Sequence, residues 1–116
     1  MIKFLFKLAI SKPVTTAYPD KVTPPERGVR GTPTLVADRC NLTGACQAAC
    51  PTGAIQVTQD STGAGSWQID YGNCIFCGAC IQACPENAIL PSNVFELAVR
   101  QRDGAVVTHE LRPAHD

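Results

Sequence analysis

The chain has 116 residues, a formal net charge of zero and seven cysteines. This length fits one small domain, whose core usually needs a disulfide, a metal or a partner for stability. The zero net charge gives no indication of nucleic-acid binding, and the odd number of cysteines argues against a framework built only of disulfides.

The N-terminal segment, residues 1–12, predicts a short amphipathic helix that Pro13 ends. Lys3, Lys7 and Ser11 fall on one narrow face at about 100° per residue, and apolar side chains fill most of the rest. The segment is too short to span a membrane and lacks the cleavage site of a secretory signal, so we expect a reducing, cytosolic location. Two interpretations are open. The helix either packs on protein or lies in the membrane interface with its basic face outward.

The next segment, residues 13–39, predicts an extended arm outside the core. It contains five prolines and two glycines, and neither a helical nor an alternating pattern runs through it. Such an arm is either disordered or lies along another protein.

Residues 40–100 predict an α+β domain made of two similar half-units, followed by a polar tail at 101–116. Each half-unit is a cysteine-rich loop, a short helical turn and an apolar segment, "CPTGAIQV" or "CPENAILP". Between the half-units, "AIQVTQ" and "SWQIDY" alternate around a glycine-rich turn and predict a β-hairpin. The segment "NVFELAVRQ" is open between a strand and a helical turn. The duplication predicts a pseudo-symmetric fold. The domain is so small that we expect inorganic groups at its centre.

The second half-unit carries the spacing C-x2-C-x2-C-x3-C-P, from Cys74 through Cys77 and Cys80 to Cys84. This is the spacing of bacterial iron–sulfur proteins, in which the first three thiolates bind one cluster and the fourth binds the other. A tetrahedral zinc site or a redox dithiol also uses paired cysteines. The repeated run, which ends twice in Cys-Pro, favours iron–sulfur clusters.

The first half-unit repeats this run, but Thr43 stands where the repeat places a cysteine. Exchange of the last cysteine between the half-units predicts two ligand sets that use all seven cysteines. One set is Cys74, Cys77, Cys80 and Cys50. The other is Cys40, Cys46 and Cys84.

The set of four thiolates predicts a [4Fe–4S] cluster. A cubane corner without a thiolate tends to lose its iron, so the set of three predicts a [3Fe–4S] cluster. Two alternatives stay open at this second site. The Thr43 hydroxyl or a water could hold a fourth iron, although a neutral oxygen is a poor ligand beside thiolate, or the half-site could hold no cluster. No catalytic residue is predicted, because no nucleophile and base occur in a recognisable arrangement.

Several segments together resemble a known family. They are the basic apolar N-terminus, "TTAYP" at 15–19, "RGVRGTP" at 27–33, "WQIDYGNCIFCGACIQACPENAI" at 67–89 and "FELA" at 95–98. The cysteine pattern resembles the two-cluster bacterial ferredoxin fold. Over most of the chain, the sequence resembles the ferredoxin-like chain I of complex I and the related subunit of membrane-bound [NiFe] hydrogenases and formate hydrogenlyase. The family pattern has a cysteine at the position of Thr43.

The resemblance implies a non-catalytic electron-relay subunit of a membrane-associated oxidoreductase complex, peripheral on the cytoplasmic side of the cell membrane. It implies the same two ligand sets, an N-terminal helix near the membrane surface and an arm along a sister subunit. One alternative is a free soluble seven-iron ferredoxin, which is usually strongly acidic, unlike this neutral chain with its basic, apolar start. A structural metal module without redox function is the other.

Overall fold

The computed structural model describes residues 2–12, 15–26 and 28–112. Its helices and strands in chain order are α1 (Ile2–Ile10), β1 (Pro33–Leu35), α2 (Ala45–Ala49), β2 (Ile55–Gln59), β3 (Gly65–Asp70), α3 (Ala79–Ala83), β4 (Ile89–Pro91) and β5 (Val106–Leu111). Two short 3-10 turns cover Ala37–Arg39 and Arg102–Ala105. The mixture of short helices and small sheets confirms the predicted α+β class.

Two antiparallel sheets form the framework. In the smaller sheet β1 pairs with β4, and Leu35 lies opposite Ile89. The larger sheet has the order β2–β3–β5, with Ile69 between Ile55 on one side and Val107 on the other. Strands β2 and β3 are the two arms of the predicted β-hairpin, which is therefore confirmed.

The core is a single cluster of buried side chains that includes two of the cysteines. Its members are Leu35, Leu42, Cys46, Ile55, Trp67, Ile69, Cys80, Ala88, Ile89 and Leu111. Full burial of a large apolar side chain contributes about 1.5–3 kcal/mol. The isoleucines and Trp67 therefore hold the two cysteine-rich loops against the sheets.

The two cysteine-rich loops share an uncommon backbone conformation. Left-handed backbone occurs at Leu42, Gly44 and Gly53 in the first and at Phe76, Gly78 and Asn87 in the second. The number of residues between each of these positions and its counterpart equals the number between Cys40 and Cys74. The first residues of α2 and α3 have the same spacing. Positive φ at a leucine or phenylalanine is rare and needs support from its surroundings. Both loops therefore turn in the same way at the same places.

The folded domain extends beyond the predicted limits 40–100 at both ends. Strand β1 lies inside the segment 13–39 that was predicted as an arm, and its Leu35 joins the core. Beside it, Thr32 is buried and its hydroxyl donates to the carbonyl of Val94. Strand β5 lies inside the predicted tail 101–116 and completes the larger sheet. The segment "NVFELAVRQ" forms neither a strand nor a helical turn.

Helix α1 is present where the N-terminal segment predicts one, but none of its residues is buried. Phe6 is 69% exposed, and the other large apolar side chains of α1 are also more than half exposed. Met1, the expected helix end at Pro13 and residues 113–116 of the predicted tail lie outside the described residues. Within the described part of the chain, no helix has the length and apolar character needed to cross a membrane.

The described part of the arm contacts the domain through Tyr18. Its hydroxyl donates to Glu96 Oε1 at 2.5 Å, and its ring centroid lies 6.1 Å from that of Phe95. The hydrogen bond to the Glu96 carboxylate raises the pKa of Tyr18. The segments "TTAYP" and "FELA", distant in sequence, therefore meet in the structure.

Candidate cluster sites

A cavity of about 250 Å³, here called site A, is lined by four thiols from both half-units. Three of them, Cys74, Cys77 and Cys80, come from the second cysteine loop, and Cys50 comes from the end of α2 in the first. Isoleucines from β2, β3 and α3 and residues of the arm next to β1 complete the wall. Site A thus brings together the four cysteines of the predicted four-thiolate set.

The backbone of the second loop determines where its thiols lie. Phe76 and Gly78 both adopt left-handed backbone, with φ of 54° and 77°. Gly78 is also the N-cap of α3, and Cys80 is buried in the first turn of that helix. The loop therefore curves around the cavity, and the first three of the four thiols of its run line it.

A second cavity, here called site B, lies at the first cysteine loop and has a volume of only about 10 Å³. Cys40, Cys46, Cys84 and Thr43 line it. The structure therefore brings together the three cysteines of the second predicted set, with Thr43 beside them. Thr43 is exposed, whereas Cys77, its counterpart in the second loop, is half-buried.

The walls of site B are joined by contacts between the two half-units. Asn41 Nδ2 donates to Glu86 Oε1 at 3.2 Å, which links the residue after Cys40 to the turn after Cys84. The apolar side chains of the wall come from β1, β2 and β3 as well as from the loop itself. A cavity of this volume has room for about one water molecule.

Three thiols accept hydrogen bonds from backbone N–H groups. Ala54 N–H donates to Cys50 Sγ at 3.3 Å, and Ala88 N–H donates to Cys84 Sγ at 3.3 Å. In the second loop, Phe76 N–H donates to Cys74 Sγ at 3.4 Å. Such donors stabilise negative charge on sulfur and so tune a bound metal centre. Cys50 and Cys84, each the last cysteine of its run, accept their hydrogen bonds in the same arrangement.

The buried thiols are poor acids without a metal. Burial raises the pKa of Cys80 to about 11, and burial also raises the pKa of Cys46 and of Cys74. Burial also acts to raise the pKa of Cys50, but hydrogen bonds from Thr52 and neighbouring backbone groups outweigh it and lower that pKa. Because cysteine must be a thiolate to bind a metal, loading these sites with iron would release protons at neutral pH.

Two polar aromatic side chains near the sites did not stand out in the sequence. The Tyr71 hydroxyl donates to the carbonyl of Pro33 at 2.9 Å, and burial raises the pKa of Tyr71. Trp67 lines site B, and its Nε1 is buried without a hydrogen-bond partner in the described part of the chain. The sequence predicts Trp67 only as a strand residue. Its alternation with polar neighbours indicates burial, but no pattern indicates which group its N–H faces.

The donor sets differ in how they fit an iron–sulfur cluster. Within residues 2–12, 15–26 and 28–112, no three Cys, His, Asp or Glu side chains converge as a single metal ion requires. Four thiols around a roomy cavity at site A fit a four-iron cluster. Site B offers three thiols and one buried N–H donor, which suits a three-iron cluster, but its walls must move apart to admit one.

Residues 39–88 match the family model of the 4Fe-4S dicluster domain. Over 104 residues the chain is 36% identical to formate hydrogenlyase subunit 6 of Escherichia coli (strain K12), covering 89% of this chain and 58% of that protein. The structure is similar to a chain of the membrane-bound sulfane sulfur reductase, an archaeal respiratory membrane complex. That match has a TM-score of 0.64 and 31% identity, and it covers 86% of this chain and 55% of the other. The chain thus spans a little over half the length of these relatives.

Proposed function

We propose that the chain is an electron-relay subunit of a membrane-associated oxidoreductase complex. The match of residues 39–88 to the 4Fe-4S dicluster family model and the similarity to a formate hydrogenlyase subunit support this proposal. The observation that carries this proposal is that all seven cysteines line two cavities. The cavities are neighbours, because α2, which carries Cys46, packs against α3, which carries Cys80. Bound clusters supply the chemistry, since each accepts and releases single electrons.

In this proposal site A holds a [4Fe–4S] cluster and site B a [3Fe–4S] cluster. Cys74, Cys77, Cys80 and Cys50 are the ligands at site A. The ligands at site B are Cys40, Cys46 and Cys84. At site B the alternative is a [4Fe–4S] cluster whose fourth iron is held by Thr43 or a water, but Thr43 is exposed and offers only a neutral oxygen.

The two halves of the domain are related by a pseudo-twofold axis in this proposal. Leu35 pairs with Ile89 across β1 and β4, while Ile69 pairs with Ile55 across β3 and β2. Leu35 and Ile69 occupy equivalent positions in the repeat, as do Ile55 and Ile89. Each pair therefore corresponds to the other once the halves are exchanged. Such an arrangement places the last cysteine of each run in the other half's site.

The protein's own residues set the redox properties of both sites. Backbone N–H groups of Phe76, Ala54 and Ala88 face the sulfurs and stabilise negative charge. Apolar side chains from the sheets exclude water, and burial of the ligands lowers the local dielectric constant. The residues around the cavities thus hold and tune the clusters, as expected of a relay.

We further propose that α1 attaches the subunit to the cytoplasmic surface of the membrane or to a membrane subunit, and that the arm lies partly along a sister subunit. Exposed side chains such as Phe4, Phe6 and Leu8 support this, because a group of large apolar side chains on a surface marks an interaction site. Lys3 and Lys7 would face the anionic lipid surface or solvent.

A free soluble seven-iron ferredoxin is the second candidate. Free carriers rely on strong net charge to attract their partners. This chain has no net charge, exposes the apolar side chains of α1, and is similar to a formate hydrogenlyase subunit and to a chain of a membrane-bound respiratory complex. These three observations favour the subunit.

The iron content of the protein tests the two-site assignment. Protein prepared without oxygen is expected to contain about seven irons per chain, because a [4Fe–4S] and a [3Fe–4S] cluster together hold that number. Iron and acid-labile sulfide analysis, combined with EPR spectroscopy, measures this. A result of about four irons with one cluster signal would mean that site B holds no cluster.

Removal of residues 2–12 tests the attachment proposal. The truncated protein is expected to keep both clusters but to associate more weakly with membranes and with its complex. Each of Phe6 and Leu8 contributes about 1.5–3 kcal/mol if it is buried at the contact. As a matched pair, Phe6→Ser with Leu8→Ser should reproduce the loss, while Lys3→Gln with Lys7→Gln should have a smaller effect. Full copurification of the truncated chain would contradict the proposal.

A further inference from the structure

Trp67 is the only tryptophan of the chain and one of its most buried side chains. It lies in β3 and is 1% exposed. Its ring lines site B together with Cys46 and Thr43, and its Nε1 has no partner in the described part of the chain. Buried N–H groups without a partner are rare in folded proteins, so this one needs an explanation.

The neighbours of Trp67 restrict where its N–H can point. In the sheet it lies between Val57 on β2 and His109 on β5. The ring centroids of Trp67 and His109 are 5.9 Å apart and their planes are inclined by 52°. Of the three cysteines that line site B with Trp67, only Cys46 also belongs with it to the cluster of buried core side chains. Burial raises the pKa of Cys46, and the nearby indole N–H acts in the opposite direction.

We propose that Trp67 is a positioning residue of site B, whose indole N–H donates a hydrogen bond to Cys46 Sγ when that thiolate binds a cluster. This inference rests on the proposed function, since it needs a cluster at site B. A donor to a ligand sulfur draws negative charge from the centre and stabilises the reduced state, which carries one more electron. The indole proton stays on Nε1 in both oxidation states. Trp67 therefore raises the reduction potential of site B.

The indole N–H donor of Trp67 lines site B and not site A. The counterpart of Trp67 in the other half of the repeat is Pro33, which lines site A and has no N–H group. The site with three thiols thus has an indole donor, and the site with four has none at the same place. Trp67 and the missing thiolate act in the same direction, and both make the potential of site B higher than that of site A.

A single tryptophan allows a direct test. Protein grown with tryptophan labelled with nitrogen-15 in the indole ring contains one labelled side chain. Pulsed EPR on the paramagnetic state of the site B cluster is expected to detect magnetic coupling to that nitrogen. A mediated redox titration of Trp67→Phe is expected to show a lower potential at site B. At a fixed solution potential, the ratio of reduced to oxidised cluster at site B is expected to fall about tenfold. This corresponds to a reduction potential lower by about 59 mV.

The control is Tyr71→Phe, which removes a polar aromatic group beside site A and should leave the potential of site B unchanged. The label measurement uses the unaltered chain, so it decides the question even if Trp67→Phe fails to fold. About seven irons with no nitrogen coupling would overturn the role of Trp67 but not the two-cluster relay. About four irons, with no cluster at site B, would overturn both.

Discussion

Replacing Cys50 by alanine is expected to change site A and leave site B intact, although Cys50 belongs to the first cysteine run. The substitution leaves three thiols at site A, the same number that site B has. We therefore expect the [4Fe–4S] cluster to lose about one iron and become a second three-iron centre. Iron analysis should fall by about one per chain, and the EPR signal of oxidised three-iron clusters should double. The lowest-potential couple of the protein should disappear.

The structural reason lies in the turn after α2. Cys50 is the C-cap of α2, and the following turn returns the chain to β2, with Ala54 N–H donating to the Cys50 sulfur. This turn places the thiol in the wall of site A, among the cysteines of the second run. Cys84 has the same turn and the same N–H donor from Ala88, but it lines site B.

Cys84→Ala is therefore the matched control for Cys50→Ala. It leaves only two thiols at site B, which is too few to hold a three-iron cluster, so about three irons should be lost while site A keeps its spectrum. If each cysteine run instead bound its own cluster, the effects would be reversed. Cys84→Ala would then alter the four-iron cluster, and Cys50→Ala would abolish the three-iron one. That reversed pattern would refute the exchange of ligands.

The cysteine loops could be predicted from the sequence because their spacing encodes the geometry. The first three cysteines of a run, such as Cys74, Cys77 and Cys80, have few ways to bring their thiols around one centre, and glycines such as Gly78 mark the sharp turns. The hairpin was also predictable, since β2 and β3 alternate apolar and polar residues on either side of a glycine-rich turn. Both signals are local in sequence.

The ends of the domain could not be predicted because their structure depends on distant partners. β1 has only three residues and begins with a proline, so its sequence alone does not indicate a strand. It forms because β4 offers an edge and Leu35 reaches the core. β5 includes the polar residues Thr108 and Glu110, and it forms as a partner of β3. Pairing with an existing strand can decide structure where propensity does not.

At site B the sequence indicated the missing ligand but not the surroundings. Thr43 stands out because the repeat has a cysteine at the equivalent position. The small cavity and the unpartnered N–H of Trp67 depend on how β3 packs on the first loop. Packing of that kind is set by side chains from several elements, so a motif does not reveal it.

Thr43→Cys is expected to convert site B into a [4Fe–4S] site. Thr43 lies between two residues with left-handed backbone, Leu42 and Gly44, just as Cys77 lies between Phe76 and Gly78. A thiol at position 43 should therefore point as the Cys77 thiol does. The variant is expected to contain about eight irons per chain and to lack the EPR signal of an oxidised three-iron cluster.

The matched control is Thr43→Val, which keeps the shape of the side chain and removes the hydroxyl. If site B holds a three-iron cluster, Thr43→Val should leave the iron content and the spectrum unchanged. If the hydroxyl instead holds a fourth iron, Thr43→Val should lose that iron and produce a three-iron signal that the native protein lacks. An unaltered protein with two [4Fe–4S] clusters that withstand mild oxidation would contradict the three-iron assignment.

The potential of site B is expected to fall in Thr43→Cys, because the added thiolate brings negative charge and disfavours the reduced state. On the three-iron assignment, the three thiolates and the proposed Trp67 donor are expected to make site B the higher-potential neighbour of site A in the native protein. An electron that has moved from site A to site B then returns to site A slowly. Site B would therefore either make the transfer one-directional or hold an electron outside the main transfer path. Removing this step by Thr43→Cys should speed return transfer between the sites. Rapid-mixing reduction followed by freeze-quench EPR on the native protein and on Thr43→Cys measures this. Equal return rates in the native protein and in Thr43→Cys would show that the potential difference does not control the relay.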